Sequence, residues 1–324
     1  MKPIVVAVYL SYNPDHSLLE RSVRLAREQV NTVYIYDNAS SVAPQFDMSN
    51  VHVIRSPHNV GVCGLNAVID FAFEEGAHFI VIMDQDSELP DGFIQRSIEK
   101  YTEVPAIYAP SIYDRERLIT SEYNPEGVAS ECRIYRNATE YASVDFVVGS
   151  GMIISKRIWS IIGSMRERFF LDCVDVDYCL RAKSQGVQIM VDHQAVMKHS
   201  IGNGYLSVFG KKVSNHSPFR HFLYYRNLLA LAFYGEVPLY WRFAKVIKIL
   251  AQVVIYSLFS GERLQNAAAF FIAFFGVNKK LVLKREDEPA VCLERRECGG
   301  VVVDIKSTYK EYLSGLNEVK DRIS

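Results

Sequence analysis

The first hundred residues alternate between two periods of hydrophobicity. Short apolar, β-branched runs at residues 4–10, 32–36, 51–54 and 78–83 predict strands. Between them, residues 15–29, 65–75 and 91–101 predict helices. Alternation of this kind implies a mostly parallel sheet with helices on both faces, an α/β fold. Residues 105–145 are less regular, with several tyrosines and charges. SVDFVVGSGMIIS (143–155) then predicts two strand-like runs around Gly149-Ser150-Gly151. A short helix over 156–162, a helix over 175–185 ending at Gly186, and a strand over 187–191 follow.

The pattern changes after residue 211. From Lys211 to Lys284 there are 11 Lys/Arg against 2 Glu, and the stretch contains WRFAKVIKILAQVVIYSLFS (241–260) and AAAFFIAFFGV (267–277). Neither uninterrupted apolar run reaches the roughly 20 residues of a membrane span. They fit either a helical pair packed on the preceding domain or a surface lying on an anionic leaflet, and the basic excess favours the membrane surface. The expected division is a catalytic domain over 1–230, an apolar and basic helical region over 231–284, and a polar tail over 285–324 with a final helix at 307–323.

Composition adds limits. The chain has 324 residues, 49% of them hydrophobic, so most of it can bury a core. A net charge of −1 gives no global pointer to nucleic acid. The six cysteines are scattered without a CxxC, which predicts reduced thiols in a cytoplasmic protein rather than zinc ligands or a disulfide framework. MKPIVVAVYLSYNPD has too short an apolar run for a signal peptide and reads as a first strand.

Candidate chemistry gathers where apolar runs end. In AHFIVIMDQDSELP (77–90) the run stops at Asp84-Gln85-Asp86. Carboxylates at i and i+2 at a strand's carboxyl end suit Mg²⁺ or Mn²⁺ held against a diphosphate, although a polar loop after a strand looks the same. Asp37-Asn38-Ala39-Ser40 closes the second strand, either as a pyrimidine or ribose grip or as an Asx turn. His58-Asn59-Val60-Gly61-Val62-Cys63-Gly64-Leu65-Asn66 puts two glycines before a helix, where backbone amides favour phosphate. It is neither a P-loop nor a dinucleotide fingerprint. In FFLDCVDVD (169–177) three carboxylates alternate at a helix start. One could be an N-cap, and Asp177 and Arg181 stand at i, i+4 and can pair. A carboxylate at a helix N-terminus stays ionised and can accept a proton, and Asp175 is favoured over Asp172 for that role.

Taken in order, these segments resemble the inverting family 2 glycosyltransferases of GT-A fold over about residues 3–230. AVYLSYNP resembles the family's opening strand and loop, YDNAS its nucleotide-binding segment, HNVGVCGLN its glycine segment and MDQDS its DxD. DQDS, VVGSGMIIS, FFLDCVDVDYCLRA, His199-Ser200-Ile201-Gly202 and Tyr224-Tyr225-Arg226-Asn227 are most similar to the bacterial rhamnosyltransferases.

The resemblance implies roles. Asp86 would bind the metal, Mg²⁺ or Mn²⁺, with His199 completing its shell. Asp84 would lie nearer the nucleoside. Tyr9, Asp37, Asn38, Asn59, Gly61, Asn66 and Gln85 would line the donor site, and Arg226 would approach the diphosphate. Asp175 would match the catalytic aspartate of the family's Glu-Asp pair, whose Glu is replaced here by Val174. The implied reaction moves a sugar, L-rhamnose from dTDP-rhamnose foremost and a UDP-hexose as alternative. The acceptor would be a cell-surface polysaccharide or lipid-linked glycan at the inner face of the cell membrane. Two rivals are a phosphohydrolase with Asp84 as nucleophile and a non-catalytic glycan- or nucleotide-binding relative.

Overall fold

The computed structural model describes residues 2–114, 119–121, 140–199, 205–208, 211–235, 237, 239–282, 289–295 and 301–323. The first four apolar runs become strands β1 (Val5–Ser11), β2 (Thr32–Asp37), β3 (Val51–Arg55) and β4 (Phe79–Asp84). They pair in parallel in the order β3-β2-β1-β4. Helices α1 (His16–Arg27) and α2 (Val62–Glu74) make the crossovers, and α3 (Phe93–Glu103) follows β4. The strands are nearly continuous apolar runs because both faces of the sheet are covered: Ala7, Val8, Tyr9, Ile35, Ile80 and Val81 are fully buried.

The sheet continues through β5 (Ala106–Asp114), β6 (Ile119–Ser121), β7 (Tyr141–Ser143), β8 (Ile153–Ser155) and β9 (Gln188–His199), with α4 (Lys156–Ile162) and α5 (Val174–Ser184) between β8 and β9. Its order beyond β4 is β8-β5-β9-β7, with β6 on the side of β5. On this path β8 and β7 run against the other strands, which share one direction.

Two expectations are corrected here. The segment read as irregular contains β5, a central strand. Pro110 disguised it, yet the missing N–H is tolerated because the register with β9 shifts between Pro110 and Ser111. Of the two runs expected around Gly149-Ser150-Gly151, only the second is a strand. Residues 145–149 leave the ladder, and the Gly149 amide is bonded to a side chain instead.

Beyond the sheet lie a hairpin of β10 (Tyr205–Val208) and β11 (Lys211–Ser214), then α6 (Pro218–Tyr234), α7 (Leu239–Phe259) and α8 (Arg263–Gly276). A second hairpin, β12 (Val291–Arg295) and β13 (Val301–Ile305), leads to α9 (Ser307–Ile323). Ser217 caps α6, with Pro218 in its first turn, and the helix is largely buried. A boundary at residue 230 would therefore cut a core helix. Residues 285–324 are also more than a polar tail: α9 buries Tyr309, Leu313 and Leu316, an i, i+4, i+7 stripe, against the body of the protein. The Tyr309 hydroxyl donates to Val60 O (3.1 Å) and Glu167 O (3.2 Å), which fastens the C-terminal helix to the start of α2.

Candidate active site at the strand ends

Register sets the floor of the site. Ser11 pairs with Asp37 and Leu10 with Asp84, so the ends of β2, β1 and β4 line up with the two aspartates flanking β1. Strand order reverses at β1, where open α/β sheets bind ligands. Asp37 is fully buried. Its Oδ1 accepts from Ser40 N (3.2 Å), and its Oδ2 lies 3.8 Å from Arg55 Nε. Among the described residues, neither Asp37 Oδ2 nor the neighbouring buried Ser11 Oγ has a hydrogen-bond partner. Adjacent orphaned polar atoms at a strand end are costly unless a ligand satisfies them.

The Asp84-Gln85-Asp86 turn is tied to the loop after β1. Gln85 Oε1 accepts from Tyr12 N (2.9 Å), and its Nε2 donates to Tyr12 O (3.4 Å). Asp84 is exposed at the end of β4 and Asp86 is partly exposed. Among the described residues, no group of three or more His, Cys, Asp or Glu gathers in a metal-holding cluster. The two carboxylates still fit a divalent ion, because Mg²⁺ commonly takes only one or two protein carboxylates and completes its shell with substrate phosphates and water. The side chain of His199, expected as a further ligand, lies outside the described residues, as do residues 200–202 of its motif.

Asp175 sits in the first turn of α5. Its Oδ2 accepts from Gly149 N (3.2 Å) and its Oδ1 from Val176 N (2.8 Å). Ser150 Oγ accepts the amide of Asp84 (3.1 Å), and Gly151 N donates to Ile82 O (2.7 Å). The 149–151 turn thus stitches Asp175 to the end of β4. Gly151 has φ +79°, and a Cβ there would lie 2.6 Å from Pro110 Cδ, so only glycine fits. Desolvation pushes the Asp175 carboxyl up to about 6; the Val176 and Gly149 amides oppose the shift, and the Asp84 and Asp172 charges add to it. At neutral pH the group is ionised yet more basic than an ordinary aspartate, which suits a general base.

The other two carboxylates of this segment are engaged elsewhere. Asp172 Oδ1 is 3.3 Å from both Nε and Nη2 of Arg220. Burial raises its carboxyl, and Arg220 opposes that. Asp177 is buried between Arg166 (2.8 Å) and Arg181 (2.9 Å), so the expected i, i+4 pair is present with a second guanidinium.

Most of the expected donor contacts turn out to be framework. The amides at the start of α2 are already used: Gly61 N by Asn59 Oδ1 (3.0 Å), Val62 N by Phe170 O (2.8 Å), Cys63 N by Val60 O (3.4 Å) and Gly64 N by Gly61 O (3.3 Å). Both glycines permit close packing. Gly61 has φ +58° with Phe170 O 2.2 Å from any Cβ, and a Cβ on Gly64 would meet the Tyr36 ring at 2.2 Å. Asn38 holds the same loop, accepting from Val60 N (2.9 Å) and donating to Gly61 O (3.2 Å). Asn66 clamps Met165 through both its N–H and its C=O. Tyr9 is a core residue bonded to Ser22 Oγ at 2.9 Å. Arg226 is buried, donating to Arg168 O (2.9 Å) and Phe169 O (3.3 Å) and to Asn227 Oδ1. Asn227 donates to Phe169 O and Asp172 O, so the pair shapes the loop before Asp175. Asp37 Oδ2 has no hydrogen-bond partner among the described residues, and Asp84 and Asp86 stand at or just beyond the end of β4. Ser11 and Arg55 join them unforeseen; both end strands in register with Asp37, the position that could have revealed them.

Residues 4–161 match the family model Glycosyl transferase family 2. The chain carries a family 2 glycosyltransferase domain. It is 29% identical over 258 residues to the dTDP-rhamnosyl transferase RfbF of Shigella flexneri, covering 76% of this chain and 86% of that protein. It is 26% identical over 167 residues to the low-salt glycan biosynthesis hexosyltransferase Agl10 of Haloferax volcanii, covering 48% of this chain and 54% of that protein. Among solved structures, S. aureus TarS 1-349 in complex with UDP-GlcNAc superposes with a TM-score of 0.51 at 11% identity, over 86% of this chain and 82% of that one. That likeness concerns the fold, the GT-A arrangement of a largely parallel sheet between helices. The family domain and both relatives support a glycosyltransferase over the phosphohydrolase alternative. The family-model match contains Asp37, Asp84 and Asp86 but ends before Asp175.

Proposed function

We propose that this family 2 domain catalyses inverting transfer of L-rhamnose from dTDP-rhamnose to a hydroxyl of a cell-surface polysaccharide or lipid-linked glycan. The observation that carries the mechanism is Asp175, a carboxylate of raised basicity fastened by Gly149 beside the end of β4. The acceptor oxygen attacks the anomeric carbon, and its proton passes to Asp175. The bond from that carbon to the diphosphate oxygen breaks on the opposite face, and its electron pair leaves with the nucleoside diphosphate. Attack opposite the leaving group inverts the anomeric centre. Asp37 and Ser11 offer their orphaned atoms to the nucleoside, with Arg55 beside them. Asp86 would hold Mg²⁺ or Mn²⁺, with Asp84 nearer the nucleoside; when bound, the ion offsets the charge of the departing diphosphate.

The choice of rhamnose rests on the likeness to the Shigella flexneri dTDP-rhamnosyl transferase. The hexosyltransferase relative keeps a UDP-hexose donor as the second reading. Nucleotide sugars are cytoplasmic metabolites, so this reading puts the enzyme at the inner face of the cell membrane. Thermal stabilisation against a panel of nucleotide sugars with Mn²⁺ tests it. A shift with dTDP-rhamnose and none with UDP-hexoses is expected; a shift only with UDP-hexoses overturns the rhamnosyl assignment.

A further inference from the structure

Helices α7 and α8 are apolar on the wrong side for a soluble protein. On α7 the packed stripe is Trp241, Ile249 and Tyr256, yet the outward stripe is apolar too: Phe243, Ile247, Leu250, Val254 and Leu258 recur at helical spacing. Phe243 is 69% exposed and Ile247 66%. On α8 the packed positions are Asn266, Ala269 and Ala273, while Leu264 (83%), Phe271 and Phe275 (80%) face outward. A helix that buries alanine and exposes phenylalanine inverts the usual economy of a water-soluble surface. Apolar patches of this kind mark interaction sites. Among the described residues, no helix is long and apolar enough to cross a membrane.

Charge decides between the two obvious occupants. From Leu239 to Val282 the sequence has Arg242, Lys245, Lys248, Arg263, Lys279 and Lys280 against the single acid Glu262. Lys248, Arg263, Lys279 and Lys280 are exposed. A second copy docking through an isologous two-fold contact would set this basic patch against itself. An anionic lipid surface complements both features, taking the apolar stripes at the headgroup boundary and the cations at the phosphates. We propose that the α7–α8 face docks on an anionic bilayer surface, lying in its interface without spanning it.

The consequence for the site follows from what α7 holds on its other flank. The Tyr240 hydroxyl donates to Asp145 Oδ2 (3.4 Å), and Lys245 Nζ lies 5.6 Å from the centre of the Phe146 ring. These residues lead into Gly149, the amide donor to Asp175. A docked α7 would thus keep the base-bearing segment next to the membrane, where a lipid-linked acceptor presents its sugar. The docking claim stands apart from the transfer reaction: vesicle binding reads the helices and donor-induced stabilisation reads the strand ends.

The test is co-sedimentation of the full chain with phosphatidylcholine vesicles and with mixed phosphatidylcholine–phosphatidylglycerol vesicles. Binding to the mixed vesicles, weakened by salt and at least about tenfold poorer to the neutral ones, is expected. The triple variant Phe243→Gln, Ile247→Gln, Leu250→Gln and the double variant Lys279→Glu, Lys280→Glu should each lose at least about tenfold in partitioning. Both should keep the wild-type melting profile, since all five side chains are exposed. Absence of binding to the mixed vesicles, or unchanged partitioning of both variants, overturns the proposal. So does a dimer in sedimentation velocity that the triple variant dissolves while wild type ignores vesicles, which would give the face to a second copy.

Discussion

Gly149 donates its backbone amide to Oδ2 of Asp175 at 3.2 Å, and the next residue, Ser150, accepts the amide of Asp84. One turn therefore sets the distance between the carboxylate assigned to the acceptor proton and the strand end assigned to the donor. The two groups lie 91 positions apart in sequence, from 84 to 175, and share a fastening two residues long.

Replacing Asp175 by Asn keeps the shape and removes the base. Transfer should fall by roughly 10²–10⁴-fold in kcat, the usual worth of a general base, while donor binding stays near wild type. Asp172→Asn should cost less, because Asp172 is held by Arg220. Steady-state kinetics with a nucleotide sugar and acceptor check this, and an equal loss in both variants would reassign the base.

The raised carboxyl of Asp175 predicts two pH effects of defined sign. Activity should fall on the acid side through about pH 6, as the base is protonated. Stability should move the other way. The folded state holds this proton up to about 6, whereas an unfolded aspartate releases it near 3.9, so the folded state binds more protons between those values. This group's contribution therefore declines as pH rises through that window. Asp175→Asn should melt above wild type at pH 8, with the gap closing by pH 4. A gap independent of pH would refute the assignment.

Gly61→Ala should destabilise the protein by about 1–3 kcal/mol, since alanine at φ +58° is strained and its Cβ would overlap the Phe170 carbonyl. A thermal melt measures it. Were the glycine present for phosphate contact instead, the main loss would be in donor affinity at unchanged stability.

Asp37→Asn should keep the bond from Ser40 while changing the oxygen that lacks a hydrogen-bond partner and is proposed to meet the nucleoside. Donor affinity should drop about tenfold or more, read by titration calorimetry, because a lost bond to a charged group is worth about 1.5–3 kcal/mol. Unchanged affinity would move nucleoside recognition away from the end of β2.

Asp177→Ala leaves Arg166 and Arg181 without their shared carboxylate. Breaking one side of a buried ion pair costs about 3–5 kcal/mol, so a large fall in melting temperature is expected. A variant as stable as wild type would show that the two guanidiniums find other partners.

Local pattern carried the alternating half of the fold. β1 to β4 and α1 to α3 fall close to where hydrophobic period placed them, because strands and helices of this kind are set by which neighbours in sequence are apolar. Asp84, Asp86 and Asp175 were legible as carboxylates at element ends for the same reason. β5 was not, since its proline is tolerated only through a register shift against β9, a strand about eighty residues away.

Polar residues whose partners are remote were read least well. Asn66 and Arg226 have the side chains of ligand binders, and sequence alone assigned them to a donor. Folding brings Met165 to Asn66 from 99 residues away and the Phe169 carbonyl to Arg226 from 57. A hydrogen-bonding group takes whichever partner the tertiary structure presents, and its chemistry does not name that partner in advance. The sequence determined which groups could do chemistry and where strands would end. Only the packed structure decided which of them are used up holding the frame and which still face the open strand ends.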